Sequence, residues 1–218
     1  DLVEPFGPDE AWLDVTGSAH LWGGDAYLMA CEISERVKAE LGVTISIGIS
    51  WNKVFAKFGS DYQKPDAITV ITPDNYRQIV WQAPVEELLY VGRATKHKLN
   101  ASAVFTIGEL AIEDPRLLVN KFGKIGPMLQ YFALGEDITP VKVLDPQTSQ
   151  VDYDIKSIGN GLTAPHDILT RRDARLLISL LSESVAQRLR EQRLKARTIC
   201  ISVRDAADLT YYTRQAPL

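Results

Sequence analysis

Between Val43 and Pro65 the chain reads VTISIGISWNKVFAKFGSDYQKP, and its first eight residues alternate in polarity. Val43, Ile45, Ile47 and Ile49 fall on one side of a pleated strand, with Thr44, Ser46, Gly48 and Ser50 on the other, because successive strand side chains point to opposite faces. Such a strand packs its apolar face inward, and its small polar face leaves room for a substrate. Trp51 and Asn52 then turn the chain into a short basic helix closed by Lys64-Pro65.

The surrounding segments predict an α+β fold, a sheet with helices on one face. Upstream, Trp12 to Thr16 reads as a strand, and Pro8-Asp9-Glu10-Ala11 sets two adjacent carboxylates at its mouth, where paired acids can hold a divalent metal. Adjacent acids are also common at solvated strand ends. Gly23-Gly24 breaks the chain, and Asp25 is placed to cap a helix running to about Leu41. Ala26, Ala30, Ile33, Val37 and Leu41 recur at helical spacing and Gly42 is placed to end the helix. Ala67 to Ile71 predicts a further strand.

From Thr72-Pro73-Asp74 onward the pattern is mostly helical. Val91-Gly92-Arg93 separates two short helices, and Phe105 to Leu110 starts another unit. Thr139 to Gln150 holds two prolines and no helical period, which reads as a linker. Farther on, Thr170 caps a helix with Asp173 at its third position, and Ala174, Leu177, Ile178, Leu181, Val185 and Leu189 form its apolar stripe. Arg188, Arg190, Arg193, Lys195 and Arg197 gather at its end, where they either face phosphates or complement the helix dipole. Ile199, Ile201 and Val203 then alternate as a strand ahead of Tyr211-Tyr212.

A chain of 218 residues with 45% hydrophobic side chains can bury a sizeable core in one to three small domains. No apolar run approaches the ~20 residues a membrane helix needs, and Asp1-Leu2-Val3-Glu4-Pro5 lacks the features of a signal peptide; a cytoplasmic protein is expected. Cys31 and Cys200 form no close pair, and His20, His97 and His166 are too scattered for a zinc site, so both cysteines are expected to be reduced packing residues. The net charge of -4 is unevenly spread. Residues 1–74 carry 5 basic and 12 acidic side chains, residues 75–155 carry 8 and 10, and residues 156–218 carry 11 and 6. That gradient fits an acidic metal-binding end joined to a basic, duplex-gripping end.

Asp9-Glu10 followed by the Val43 to Pro65 segment resembles the palm of the Y-family DNA polymerases, the lesion-bypass enzymes, most closely the DNA polymerase IV type. The resemblance continues through Val91 to Ala111, similar to the helix-hairpin-helix of the thumb, and Lys156-Ser157-Ile158-Gly159, similar to the opening of the little finger. It implies a partial palm over residues 1–74 (mixed or antiparallel sheet with helices on one face) and a small helical thumb over 75–141. A linker over 142–154 and an incomplete little finger over 155–218, opening with an edge strand from Lys156 to Thr163, would follow.

By the same resemblance, the activity is two-metal transfer of a deoxynucleotide from dNTP to a primer 3'-hydroxyl during damage bypass, with two Mg2+ ions as cofactors. Asp9 would bridge both ions, Glu10 would hold the one at the primer terminus, and Lys64 would approach the triphosphate. Gly92, Arg93, Lys96, Ser157 and Gly159 would contact primer-template DNA. Asn52 and Lys53 match the family but also suit a purely structural turn. Where Tyr90 stands, the family usually has a glycine, which puts close phosphate contact there in doubt. A sliding clamp, reached through a C-terminal segment, is a further partner the resemblance leaves open.

The family's third carboxylate, on an N-terminal strand, and its fingers domain have no counterpart here. The chain is therefore expected to be a fragment that cannot extend a primer. The main alternative is a non-catalytic module that binds primer-template DNA. A nucleotide cyclase, which also uses a palm-like sheet with paired acids, leaves the Gly92 hairpin and the basic C-terminal segment without purpose.

Overall fold

The structure is a computed structural model that describes residues 2–145, 150–151 and 155–218. The chain divides into two compact units, Asp1–Asp152 and Tyr153–Leu218.

The first unit opens with a hairpin that the sequence patterns did not bring out. β1 (Leu2–Pro5) pairs antiparallel with β2 (Ala11–Asp14), Glu4 lying opposite Trp12 and Pro5 opposite Ala11. Gly7 supplies the turn with a positive φ of 76°. After a 3-10 turn over Ala19–Trp22, helix α1 spans Ala26–Leu41. Its ends are those the caps predict: the Asp25 side chain accepts from the Tyr27 N–H, and Gly42 closes the helix at φ 69°. The buried stripe is rotated from the expected one, with Met29, Ala30 and Ser34 inside and Leu41 exposed.

The alternating segment forms a strand over only three residues, β3 (Ile47–Ile49), which pairs in parallel with β4 (Ile68–Val70). The expected single sheet is thus resolved into separate two-stranded pairs, because β2 bonds to β1 and β3 to β4 with no ladder between the pairs among the described residues. Helix α2 (Lys53–Tyr62) connects β3 to β4. Its backbone lies so close to β3 that a Cβ on Gly48 would fall 1.9 Å from the Ala56 carbonyl oxygen. At Gly48, then, the small residue admits a helix rather than a substrate.

Helices α3 (Tyr76–Ile79), α4 (Arg93–Asn100), α5 (Ile107–Ile112), α6 (Pro115–Phe122) and α7 (Ile125–Ala133) follow. The stretch before Gly92 holds a 3-10 turn, Val85–Glu87, where the first helix of a hairpin was expected. Pro84 and the hydrogen bond from Val85 N–H to the Phe105 carbonyl hold this segment extended against the loop before α5. One core runs from α2 through all of these elements, with Phe55, Leu99, Ile107, Leu110 and Leu129 fully buried. Within the expected linker, β5 (Leu144–Asp145) and β6 (Gln150–Val151) form a short antiparallel pair. Residues 146–149 and 152–154 of that linker lie outside the described residues.

The hairpin and α2 are joined by a buried ion pair. Lys53 Nζ lies 2.6 Å from Glu4 Oε2, with the two side chains only 11% and 4% exposed. The same carboxylate oxygen accepts from the Lys142 N–H at 2.8 Å. Trp12 reinforces the joint, its indole N–H donating to the Lys53 carbonyl at 2.9 Å while the Lys53 ammonium sits 4.4 Å from its ring centroid.

The second unit comprises α8 (Arg171–Glu191) and the antiparallel hairpin of β7 (Thr198–Arg204) and β8 (Tyr211–Pro217). Thr170 caps α8 by accepting from the Asp173 N–H. The expected edge strand from Lys156 to Thr163 does not form. Glycines at 159 and 161 weaken a strand there, and the segment is fastened by side chains instead: Arg188 donates to the Gly159 carbonyl at 2.7 Å, and Asn160 bonds Ser184 at 2.9 Å. Cys200 lies exposed on β7 and so is no packing residue, while Cys31 is half-buried; both are free thiols.

Two substitutions test these joints. Lys53→Met removes the ammonium 2.6 Å from the buried Glu4 carboxylate and is expected to cost ~3 kcal/mol, read as a lower midpoint in urea unfolding. Gly135 has φ +75°, and a Cβ there would meet the Phe55 ring at 2.6 Å. Gly135→Ala therefore adds left-handed strain to an overpacked contact and is expected to cost about 3 kcal/mol by the same measurement.

Candidate functional site

The β1–β2 turn carries the paired acids. The Phe6 N–H donates to the Glu10 carbonyl at 2.7 Å, which closes the turn, and Asp9 lies exposed at its tip. Glu10 is half-buried and points its carboxylate at α2, where Lys57 Nζ lies 3.0 Å from Oε1. Lys57 also pairs with Asp61 Oδ2, one helical turn on. The other oxygen of Asp61 takes Lys64 at 2.5 Å. A ladder of alternating charge, Glu10, Lys57, Asp61 and Lys64, thus runs from the hairpin turn along the second half of α2 to the Lys64-Pro65 bond, which is cis.

The charges on this ladder shift each other. Burial works against the Lys57 ammonium, but hydrogen bonds to Asp61 and Glu10 outweigh it and raise its pKa. Burial likewise works against the Asp61 carboxylate, yet the bonds from Lys57 and Lys64 hold its pKa below the ordinary value. Asp14, at the far end of β2, is lowered by its hydrogen bonds from Thr16.

Asp9, Glu10, Lys57 and Lys64 line one cleft of about 720 Å³. Its walls include Ala11, Trp12 and Leu13 of β2, Met29, Ala30 and Ile33 of α1, and all of β3. The structure therefore brings three of the residues singled out in the sequence, Asp9, Glu10 and Lys64, to a common surface. It adds Lys57 to the cleft and, beside it, Asp61, which pairs with both Lys57 and Lys64; sequence reasoning missed both although their i, i+4 spacing within a helix was the available signal. Among the described residues, no group of three or more His, Cys, Asp or Glu is arranged to hold a metal ion.

Asn52 and Lys53 have structural work. The Asn52 side chain caps α2 by accepting from the Phe55 N–H at 2.8 Å, and its amide donates to the Gly135 carbonyl at 3.0 Å. Lys53 is committed to Glu4.

Within the first unit, Gly92, Arg93 and Lys96 are not among the residues lining the cleft. Gly92 opens α4 without a side-chain cap, at φ -81°, and a Cβ there would meet open space. Among the described residues, nothing lies close enough to demand glycine at that position. Arg93 is exposed, whereas Lys96 is paired with Glu86 at 2.5 Å, which lowers the Glu86 pKa. Tyr90 holds the backbone at φ 70°, the left-handed region that favours the glycine expected there, with its ring exposed and tilted against Phe132. Ser157 and Gly159 are exposed in the second unit.

Comparison with known proteins gives this arrangement its family. The impB/mucB/samB family matches residues 1–61, and the impB/mucB/samB family C-terminal domain matches residues 155–218. The chain is 53% identical over 218 residues to a DNA polymerase IV of Acetivibrio thermocellus, covering all of this chain and 53% of that protein. It is 36% identical over 203 residues to one of Clostridium kluyveri, covering 93% of this chain and 49% of that protein. The chain thus spans about half the length of the curated relatives it matches. Among solved structures, a Y-family DNA polymerase chimera of Dbh and Dpo4 superimposes with a TM-score of 0.75 at 20% identity, over all of this chain and 60% of that one. DinB from Sulfolobus solfataricus gives 0.59 at 20% identity, with the same coverage. No described helix is long and apolar enough to cross a membrane. With both family matches in chain order and this identity along its whole length, the chain belongs to the Y-family, or lesion-bypass, DNA polymerases of the DNA polymerase IV type.

Proposed function

We propose that this chain is the acid-bearing and duplex-gripping part of a translesion DNA-directed DNA polymerase, which transfers a deoxynucleotide from dNTP to a primer 3'-hydroxyl. The observation that carries this reading is the cleft shared by Asp9, Glu10 and Lys64 in a chain of this family. Because the chain spans about half of its relatives' length, the transfer reaction is proposed for a protein of their full length, and the 218 residues alone are expected to bind primer-template without extending it.

The donor set suits Mg2+. Asp9 and Glu10 offer hard carboxylate oxygens, and Mg2+ is usually bound by one or two carboxylates, with substrate phosphates and waters completing its shell. When bound, divalent cations would supply a lowered pKa at the 3'-hydroxyl and neutralise the triphosphate and leaving pyrophosphate. Asp9, exposed at the tip of the hairpin, would bridge the two ions, and Glu10 would hold the one at the primer terminus. Glu10 is held in direction by Lys57, and Lys64 offers an ammonium to the triphosphate from the far end of the ladder. In the outer parts, Gly92 lets a DNA phosphate approach the start of α4, where N–H groups point outward. Arg93 and Lys96 add positive charge, and Ser157 and Gly159 belong to a surface for duplex DNA. A sliding clamp would be a partner of the longer protein.

Single-nucleotide primer extension tests the reading. A chain restored to the relatives' length is expected to extend a primer with Mg2+ and all four dNTPs. Asp9→Ala in that chain is expected to abolish extension while leaving salt-sensitive duplex binding unchanged. Extension that survives Asp9→Ala would overturn the assignment of the acids; duplex binding with no extension by the restored chain would favour a non-catalytic DNA-binding module.

A further inference from the structure

Lys57 holds Glu10 in direction and has a second carboxylate partner, Asp61. Its ammonium is shared between two carboxylates, Glu10 at 3.0 Å and Asp61, and its side chain is only 16% exposed. Asp61 divides its own oxygens between Lys57 and Lys64. Glu10 therefore meets the cleft with one oxygen already engaged by a fixed positive charge, and that charge has a second acceptor within reach on its own helix.

From this geometry we infer that Lys57 is a displaceable counter-cation of the acidic pair, and that Asp61 is the acceptor that receives it when Glu10 turns to a divalent cation. The inference rests on the reading of Asp9 and Glu10 as cation ligands and adds a positioning residue and its release partner. A divalent cation and Lys57 compete for the Glu10 carboxylate, since two cations cannot share one oxygen without repulsion. Asp61 lowers the cost of that exchange, because the displaced ammonium keeps a charged hydrogen bond instead of being left partly buried without one. The rung at Lys64 sets how strongly Asp61 can draw Lys57 away.

Mn2+ binding to the 218-residue chain, followed by electron paramagnetic resonance of the free ion, tests this without any need for activity. Asp9→Ala identifies the portion of binding that belongs to the cleft. Lys57→Met is expected to tighten that portion by at least about threefold, and Lys57→Arg to leave it near wild type. Asp61→Asn is expected to weaken it by a similar factor, because Lys57 then has Glu10 as its remaining acidic partner. The decisive comparison is the double variant Lys57→Met with Asp61→Asn. If Asp61 acts by receiving Lys57, the double variant binds Mn2+ as Lys57→Met does. If Asp61→Asn weakens binding equally in both backgrounds, the two charges act independently and the inference falls.

Unfolding midpoints of each variant guard against a trivial loss of structure, which would weaken binding and cannot produce the expected gain for Lys57→Met. Asp9-dependent binding that ignores Lys57→Met would overturn the inference and leave the reading of the acids standing. No Asp9-dependent binding in any variant would overturn both.

Discussion

The buried pair between Glu4 and Lys53 is the contact on which the site depends. It fixes the β1–β2 hairpin, and with it Asp9 and Glu10, to the first turn of the helix that carries Lys57 and Asp61. Buried ion pairs seldom raise stability over an apolar replacement, because desolvation offsets most of their attraction. Their contribution here is register. The hairpin touches α2 through a short strand with one buried residue, Trp12, and such a contact could slide; the carboxylate, bonded at once to Lys53 and to the Lys142 N–H, admits one position. From that anchor the turn delivers Glu10 one helical turn farther along α2, to Lys57.

Helix α2 is itself located from both sides. The Gly48 contact presses it against β3, while the Gly135 carbonyl accepts from both Trp51 and Asn52 at 3.0 Å where the helix begins. That carbonyl belongs to the turn after α7, so the helical half of the first unit reaches α2 through this shared acceptor as well as through the core that Phe55 and Phe58 join. A glycine is needed at 135 for its left-handed backbone and for the aromatic rings packed over it. The core of α3 to α7 thus supports the acidic cleft without lining it.

Helix limits were legible where a cap announces them. Asp25 and Thr170 each mark a helix start by a side chain satisfying a free N–H, and Gly42 marks an end by its left-handed backbone, local features that spacing reveals. Asp9, Glu10 and Lys64 were singled out through family resemblance, and all three line one cleft. Strands were harder. The alternation from Val43 to Ser50 predicts a long strand, but a strand extends only as far as its partner does, and β4 offers three residues. β1 was missed although Leu2 to Pro5 precedes a Gly7-Pro8 turn signal. The Glu4–Lys53 and Glu10–Lys57 pairs join residues 49 and 47 positions apart, and no local pattern encodes a partner at that distance. Lys156 to Thr163 shows the converse, a stretch of strand-like reading whose hydrogen bonds go to α8 side chains.

The charge ladder also explains an otherwise unfavourable residue. Asp61 lies in the last turn of α2, where the exposed carbonyls form the negative end of the helix dipole and repel a carboxylate. Lys57 and Lys64 on its two oxygens offset that repulsion, consistent with a pKa held low despite partial burial. Counted along the ladder, Glu10 and Asp61 balance Lys57 and Lys64, so the four side chains are together neutral. Asp9 makes no ion pair among the described residues and is left as the uncompensated charge in the cleft. On the proposed reading, a cation approaching this surface would be drawn first to Asp9, at the tip of the hairpin, and would meet Glu10 only by contending with Lys57. The order of those two encounters follows from which carboxylate the fold has already neutralised.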